Sequence, residues 1–286
     1  MIIGIATIFT VFFGPLLLWL RGRHASRGTP AGKTPMAPWT LTIMSALLYV
    51  LAFNLTFFIQ ELFLVLPKAF TPGLRPTLFH NNHSWEGTSP LASLFQGPGA
   101  LATTASGVAC ALLLRRGAGK SAAARLFLFW MAYSGVFMAL PQVVVGAVSE
   151  QSDLGMAMGY FGLGAAGRTI AGLLALALIP LAALWLGGLL LRRVTGPAFR
   201  TATLPALLAL PAIALFRIPR EWIEVVMVPL VVTVPGLAWI QAGAWRADRK
   251  SAGRGALVTS IGWPLAAVLG LLAVFQLLLR PGIRCY

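Results

Sequence analysis

The stretch Phe53–Phe70, FNLTFFIQELFLVLPKAF, sets Asn54, Gln60 and Glu61 inside an apolar run that begins at residue 39. That run, over 39–66, exceeds the roughly 20 residues an α-helix needs to cross a bilayer core. It is continuously apolar rather than alternating, which reads as a helix and argues against a barrel strand. Seven more runs of this kind lie at 2–20, 93–114, 126–147, 169–191, 201–216, 223–243 and 257–279. The sequence therefore predicts an all-α fold: a polytopic membrane helix bundle of about eight transmembrane helices, forming one domain over 1–286.

Composition agrees with this reading. Hydrophobic residues make up 58% of the chain and charged residues 10%, and the mean hydropathy is +0.83. A soluble domain carries about 25% charged residues. The net charge of +15 comes from short basic clusters between apolar runs, with no long basic stripe interleaved with aromatics. Nucleic acid is thereby excluded as a partner; the lipid bilayer is the expected one.

The basic clusters also predict orientation. Fifteen lie in one set of loops: Arg21, Arg23, Arg27, Lys33, Arg115, Arg116, Lys120, Arg125, Arg192, Arg193, Arg200, Arg246, Arg249, Lys250 and Arg254. Seven lie on the other side: Lys68, Arg75, Arg168, Arg217, Arg220, Arg280 and Arg284. The richer side belongs in the cytoplasm, so both termini are expected to be extracytoplasmic, in a bacterial inner membrane. No basic segment precedes Ile2, which reads as an outward-starting first helix rather than a cleaved signal peptide.

Polar chemistry gathers at the predicted outer edge. Ionisable residues beside lipid are costly and mark a site by default. Glu61 lies near the end of the second run, and His80, His83 and Glu86 lie in a proline-containing outer loop at about 67–92. Glu150 and Asp153 follow the fourth run. If His80 and His83 share a helical face, as HxxH spacing allows, they chelate one ion together with a carboxylate. The expected metal set is His80, His83, Glu61 and Asp153, holding zinc or another divalent metal, with Glu61 as catalytic base. Glu86 and Glu150 are secondary candidates. Asp153 alone also suits a helix cap.

Residues 154–167 are apolar but too short to span, and read as a re-entrant or interfacial piece or an extension of the fifth run. Within them, Gly162, Gly164 and Gly167 match a dinucleotide-binding pattern without a preceding strand, so close helix packing is expected instead. Prolines 205, 211, 229 and 235 bend the sixth and seventh runs.

The stretches Gln60–Leu64, Phe95–Ala100 and Asp153 together resemble the site-2-type (M50-like) intramembrane metalloproteases over roughly residues 50–165. In that resemblance Glu61 matches the catalytic glutamate and Asp153 the aspartate ligand. Gln60 and Leu64 stand where the family has its zinc histidines. The resemblance implies a remodelled or inactive metalloprotease-like protein. Two other readings stand beside it: a non-catalytic subunit among other membrane protein subunits, and a small-solute carrier.

Overall fold

The computed structural model describes residues 2–25, 39–194, 196–246 and 260–286; the side chains of 22–25, 223, 245 and 246 are also left aside. The expected basic residues Arg27, Lys33, Arg249, Lys250 and Arg254, and the start of the eighth run at 257–259, lie outside the described residues.

The described chain is an all-α bundle. Eight helices are long and apolar enough to cross a membrane. In chain order the elements are α1 (Ile2–Arg21), α2 (Trp39–Ala69), β1 (Arg75–Leu78), β2 (His83–Glu86) and α3 (Pro98–Arg115). Then come α4 (Ala122–Val148), the short α5 (Asp153–Tyr160), α6 (Ala165–Arg193) and α7 (Phe199–Arg217). The chain closes with α8 (Trp222–Arg246), α9 (Gly262–Leu279) and β3 (Ile283–Arg284). A one-turn helix, Leu91–Leu94, leads into α3 and lengthens that span.

Lipid tails are as apolar as leucine, so packing and interhelical hydrogen bonds must join the helices. Both are present in the core. Tyr49 of α2 and Trp130 and Tyr133 of α4 are fully buried and in ring contact. Trp130 Nε1 donates to Ser45 Oγ at 2.9 Å, and Ser45 donates to the Thr201 carbonyl of α7 at 2.6 Å. Tyr133 donates to the Thr233 carbonyl of α8 at 2.6 Å, and the Tyr49 hydroxyl meets Thr233 Oγ1 at 2.7 Å. Four helices are thus pinned by partnered polar groups at their centre. Helices α3 and α4 approach through glycines: a Cβ on Gly107 would sit 3.0 Å from Gly135 Cα.

The region expected as an irregular outer loop is a small sheet. Helix α2 runs on to Ala69, and β1 then pairs antiparallel with β2, Arg75 opposite Glu86 and Leu78 opposite His83. The carboxyl-terminal β3 pairs with the other edge of β1, giving the order β2-β1-β3. This pairing brings the end of α9 to the same face as the end of α2. Gly87 leaves the open end of the hairpin at φ +93°, packed so close to the chain entering β1 that a Cβ would collide with the Gly73 carbonyl oxygen.

Residues 153–160 form the short helix α5, and Gly162, at φ +67°, turns the chain into α6. Residues 165–167 open α6 and so lengthen the fifth span, while the rest of 154–167 stands apart from it. Close packing by the glycine triplet is not realised: a Cβ on Gly162 or Gly164 would meet nothing within 4 Å, and one on Gly167 only the neighbouring Leu163. These glycines shape a turn.

Candidate functional site

Helix α2 builds the floor. Glu61, Leu64 and Lys68 follow at three and four residues, so they share one helical face. Glu61 and Lys68 are both buried. Strand β2 builds the roof. Its alternation sends His83 and Trp85 inward and leaves Ser84 and Glu86 exposed. The turn before α3 brings in the Phe95 carbonyl and the buried Gln96 side chain.

These pieces form one hydrogen-bonded network. His83 Nδ1 lies 2.8 Å from Glu61 Oε2, and His83 Nε2 lies 3.1 Å from Gln96 Oε1. Lys68 Nζ donates to the Leu64 carbonyl at 2.7 Å, and to the Phe95 carbonyl and Gln96 Oε1 at 3.3 Å each. The same ammonium lies 4.8 Å from the centre of the Trp85 ring, and that ring stacks on His83. Beside the network, Gln142 of α4 donates to Gln60 Oε1 at 2.6 Å.

The amide of Gln96 sets the proton positions. An ammonium needs an acceptor, so the Gln96 atom facing Lys68 is the oxygen. The same oxygen faces His83 Nε2, which must therefore carry a hydrogen and donate. The gap between Nδ1 and Glu61 then has room for one proton. A proton there rests on the ring, making an imidazolium–carboxylate pair, or on Glu61, making a neutral pair.

Asp153 opens α5 next to Ser152, whose hydroxyl caps the helix by accepting from Gly155 N at 3.2 Å. Serine, not Asp153, is the cap. The Asp153 carboxyl is held above the usual carboxylate range by burial first and by the Glu61 charge second; His83 and Lys68 pull the other way. Glu61, His83, Lys68 and Asp153 are thus electrostatic neighbours.

The remaining candidates sit elsewhere. His80 lies in the turn between β1 and β2, closed by Phe79 N donating to the Asn82 carbonyl at 2.8 Å. Because this segment is a hairpin and not a helix, His80 and His83 share no face. His80 is 3% exposed, its ring is 6.0 Å from that of Phe275, and neither ring nitrogen has a hydrogen-bond partner. Burial, then Arg220, Arg217 and Arg280, push its pKa down to about 4; the Phe216 carbonyl acts weakly the other way without an aligned bond. Glu86 faces outward on β2. Glu150 is exposed and pairs with Arg168 at 3.2 Å. Arg220 pairs with Glu224 at 3.1 Å, while Arg217 Nε donates to the Glu224 carbonyl.

The expected metal set, His80, His83, Glu61 and Asp153, is therefore not assembled. No group of three or more His, Cys, Asp or Glu among the described residues is placed to hold a metal ion. The donor chemistry agrees. His83 Nε2 bears a hydrogen, Nδ1 is engaged by Glu61, and the Lys68 ammonium already lies among the carboxylates. Zinc or another divalent metal does not fit these residues. Sequence reading missed Lys68 and Gln96 as members of the site. The spacing of seven residues from Glu61 to Lys68 was the available signal for the first; nothing local marked the second.

Comparison with protein families, curated proteins and solved structures found no match for this chain. What is established is an integral membrane protein of the polytopic helical class.

Proposed function

We propose that this membrane protein carries a metal-free acid–base site, in a metalloprotease-like scaffold remodelled away from proteolysis, whose exchangeable proton fastens the hairpin to the bundle. The observation that carries this reading is His83, held between Glu61 and a Gln96 oriented by Lys68. Lys68 supplies positive charge that a divalent ion supplies in a metal hydrolase, and together with the proton shared by Glu61 and His83 it balances Glu61 and Asp153 without one.

The proton sets the strength of the fastening. With one proton in the gap, Glu61 and His83 attract. With none, the Nδ1 lone pair faces a carboxylate and the contact repels. Proton loss therefore loosens β2 from α2 and opens the polar floor to the outer side, where a small polar or ionisable ligand can enter. Glu61 acts as proton acceptor, His83 as its partner, and Lys68 and Asp153 set the field.

Two measurements on the purified full chain test this. The protection of the amides at 75–86, taken as observed exchange against the intrinsic rate at each pH, is expected to fall as pH rises, and Glu61→Gln is expected to abolish that fall. Elemental analysis is expected to give far less than one divalent ion per chain. One zinc per chain, lost in Glu61→Ala, would restore the metal reading; pH-independent protection of these amides in the unmodified chain would defeat the proton reading.

A further inference from the structure

The end of the bundle opposite the hairpin holds a cavity of about 350 Å³ where the carboxyl ends of α3 and α6 meet. Arg115, Arg192 and Arg193 line it, with Trp185, Leu184 and Gly188 below them. Arg192, Gly188 and Leu184 follow at four-residue intervals on α6, so charge lies above a notch and the notch above an apolar wall. A Cβ on Gly188 would meet nothing within 4 Å, which makes the notch open space.

No carboxylate among the described residues meets the three guanidiniums. Among the described residues the carboxylates Glu61, Glu86, Glu150, Asp153, Glu221 and Glu224 all belong to the hairpin end, and no ion pair reaches Arg115, Arg192 or Arg193. Arg193 Nη2 donates to the Arg115 carbonyl at 2.5 Å. That bond occupies one terminal carbonyl of α3, and three guanidinium charges outweigh the partial negative charges of the two helix ends, about half a charge each. Below the arginines, Trp185 and Leu184 are each 38% exposed and Leu181 is 63% exposed. A tryptophan under a basic rim suits the boundary between headgroups and hydrocarbon.

We infer that this cavity is a binding site for an anionic phospholipid. Its phosphate lies among Arg115, Arg192 and Arg193, and its acyl chains lie along Leu184 and Leu181. The cavity has room for a phosphodiester headgroup and not for the chains, which the exposed leucines of α6 accommodate outside it. A basic rim without carboxylates selects negative over zwitterionic headgroups. The inference needs only the membrane bundle and is independent of the Glu61–His83 site.

Native mass spectrometry of the full chain, released from nanodiscs holding equal phosphatidylglycerol and phosphatidylcholine, tests it. Phosphatidylglycerol is expected to be retained in preference to phosphatidylcholine. The double variant Arg115→Gln/Arg192→Gln is expected to lower that retention about tenfold or more, and the Arg116→Gln control to leave it unchanged. Gly188→Leu, which fills the notch and keeps every charge, is expected to lose retention while the chain stays folded. Equal retention of the two lipids overturns the proposal, as does retention unaffected by Gly188→Leu. Inorganic phosphate displacing the bound lipid at equal concentration also overturns it, by showing a phosphate site indifferent to acyl chains.

Discussion

His83 Nδ1 and Glu61 Oε2, separated by 22 positions in the chain, meet at 2.8 Å with both side chains almost wholly buried. This contact ties the hairpin to the longest helix of the bundle. It also decides what the site can do, since a ring nitrogen engaged by a carboxylate is not free for a metal.

Removing one partner of a buried pair leaves the other uncompensated, at a cost of about 3–5 kcal/mol. Glu61→Ala is expected to lower stability by that order, because it also leaves His83 Nδ1 without a partner and Lys68 with Asp153 as its one nearby carboxylate among the described residues. Glu61→Gln keeps an acceptor and is expected to cost less than half as much. Unfolding in mild detergent, followed by tryptophan fluorescence, measures both; equal stability of Glu61→Ala and the unmodified chain would remove the pair from the account.

Lys68 is fully buried with three oxygen partners. Lys68→Met is expected to destabilise by about 2–4 kcal/mol, through unpaired acceptors and two unbalanced carboxylates. Asp153→Asn is expected to relieve part of that loss, giving a coupling of about 1 kcal/mol in a double-mutant cycle. Strict additivity would show that Asp153 and Lys68 do not sense each other.

His80 and Asp153 predict opposite responses to pH. The His80 pKa falls from its ordinary value near 6.5 to about 4 in the fold. Between these values the unfolded chain binds more protons, so stability is full above the upper value and lost as pH falls toward the lower. Asp153 is raised in the fold. Its contribution is present below the ordinary carboxylate pKa and is lost as pH rises through the raised one. His80→Leu is expected to flatten the acid-side loss, and to be neutral or stabilising at neutral pH because both ring nitrogens are unpartnered. Asp153→Asn is expected to flatten the loss on raising pH. Melting temperature against pH for the two variants separates the effects, and identical profiles would contradict both.

At Gly107 a Cβ would press against Gly135 backbone, whereas at Gly188 it would enter open space. Gly107→Val is expected to force α3 from α4 at a cost of about 2 kcal/mol or more. Gly188→Ala is expected to stay within about 0.5 kcal/mol of the unmodified chain. Thermal unfolding of the two variants side by side checks the contrast; comparable losses would mean the interface is looser than its geometry.

Helix existence was legible because lipid leaves the backbone few alternatives. The run 39–66 matches α2 within three residues at its end, and the run 201–216 matches α7 within two at its start and one at its end. The clustering of Glu61, His83 and Asp153 toward one edge was also legible, from charge order along the chain. The HxxH reading failed for a local reason: helical spacing was applied to a segment that is strand and turn. A period of two in His83-Ser84-Trp85-Glu86 was the signal that His83 and Glu86 face opposite ways.

The sequence by itself determined a bundle of about eight apolar helices and the end at which its acids collect, since apolar length and residue order are properties of the chain. The tertiary structure alone decided that His83 and not His80 meets Glu61, and that Lys68 and Gln96 complete the set. Those choices hang on the register of a short hairpin and on a turn 27 and 28 residues beyond Lys68. Distances of a few ångströms between such segments follow from packing, which no local spacing encodes.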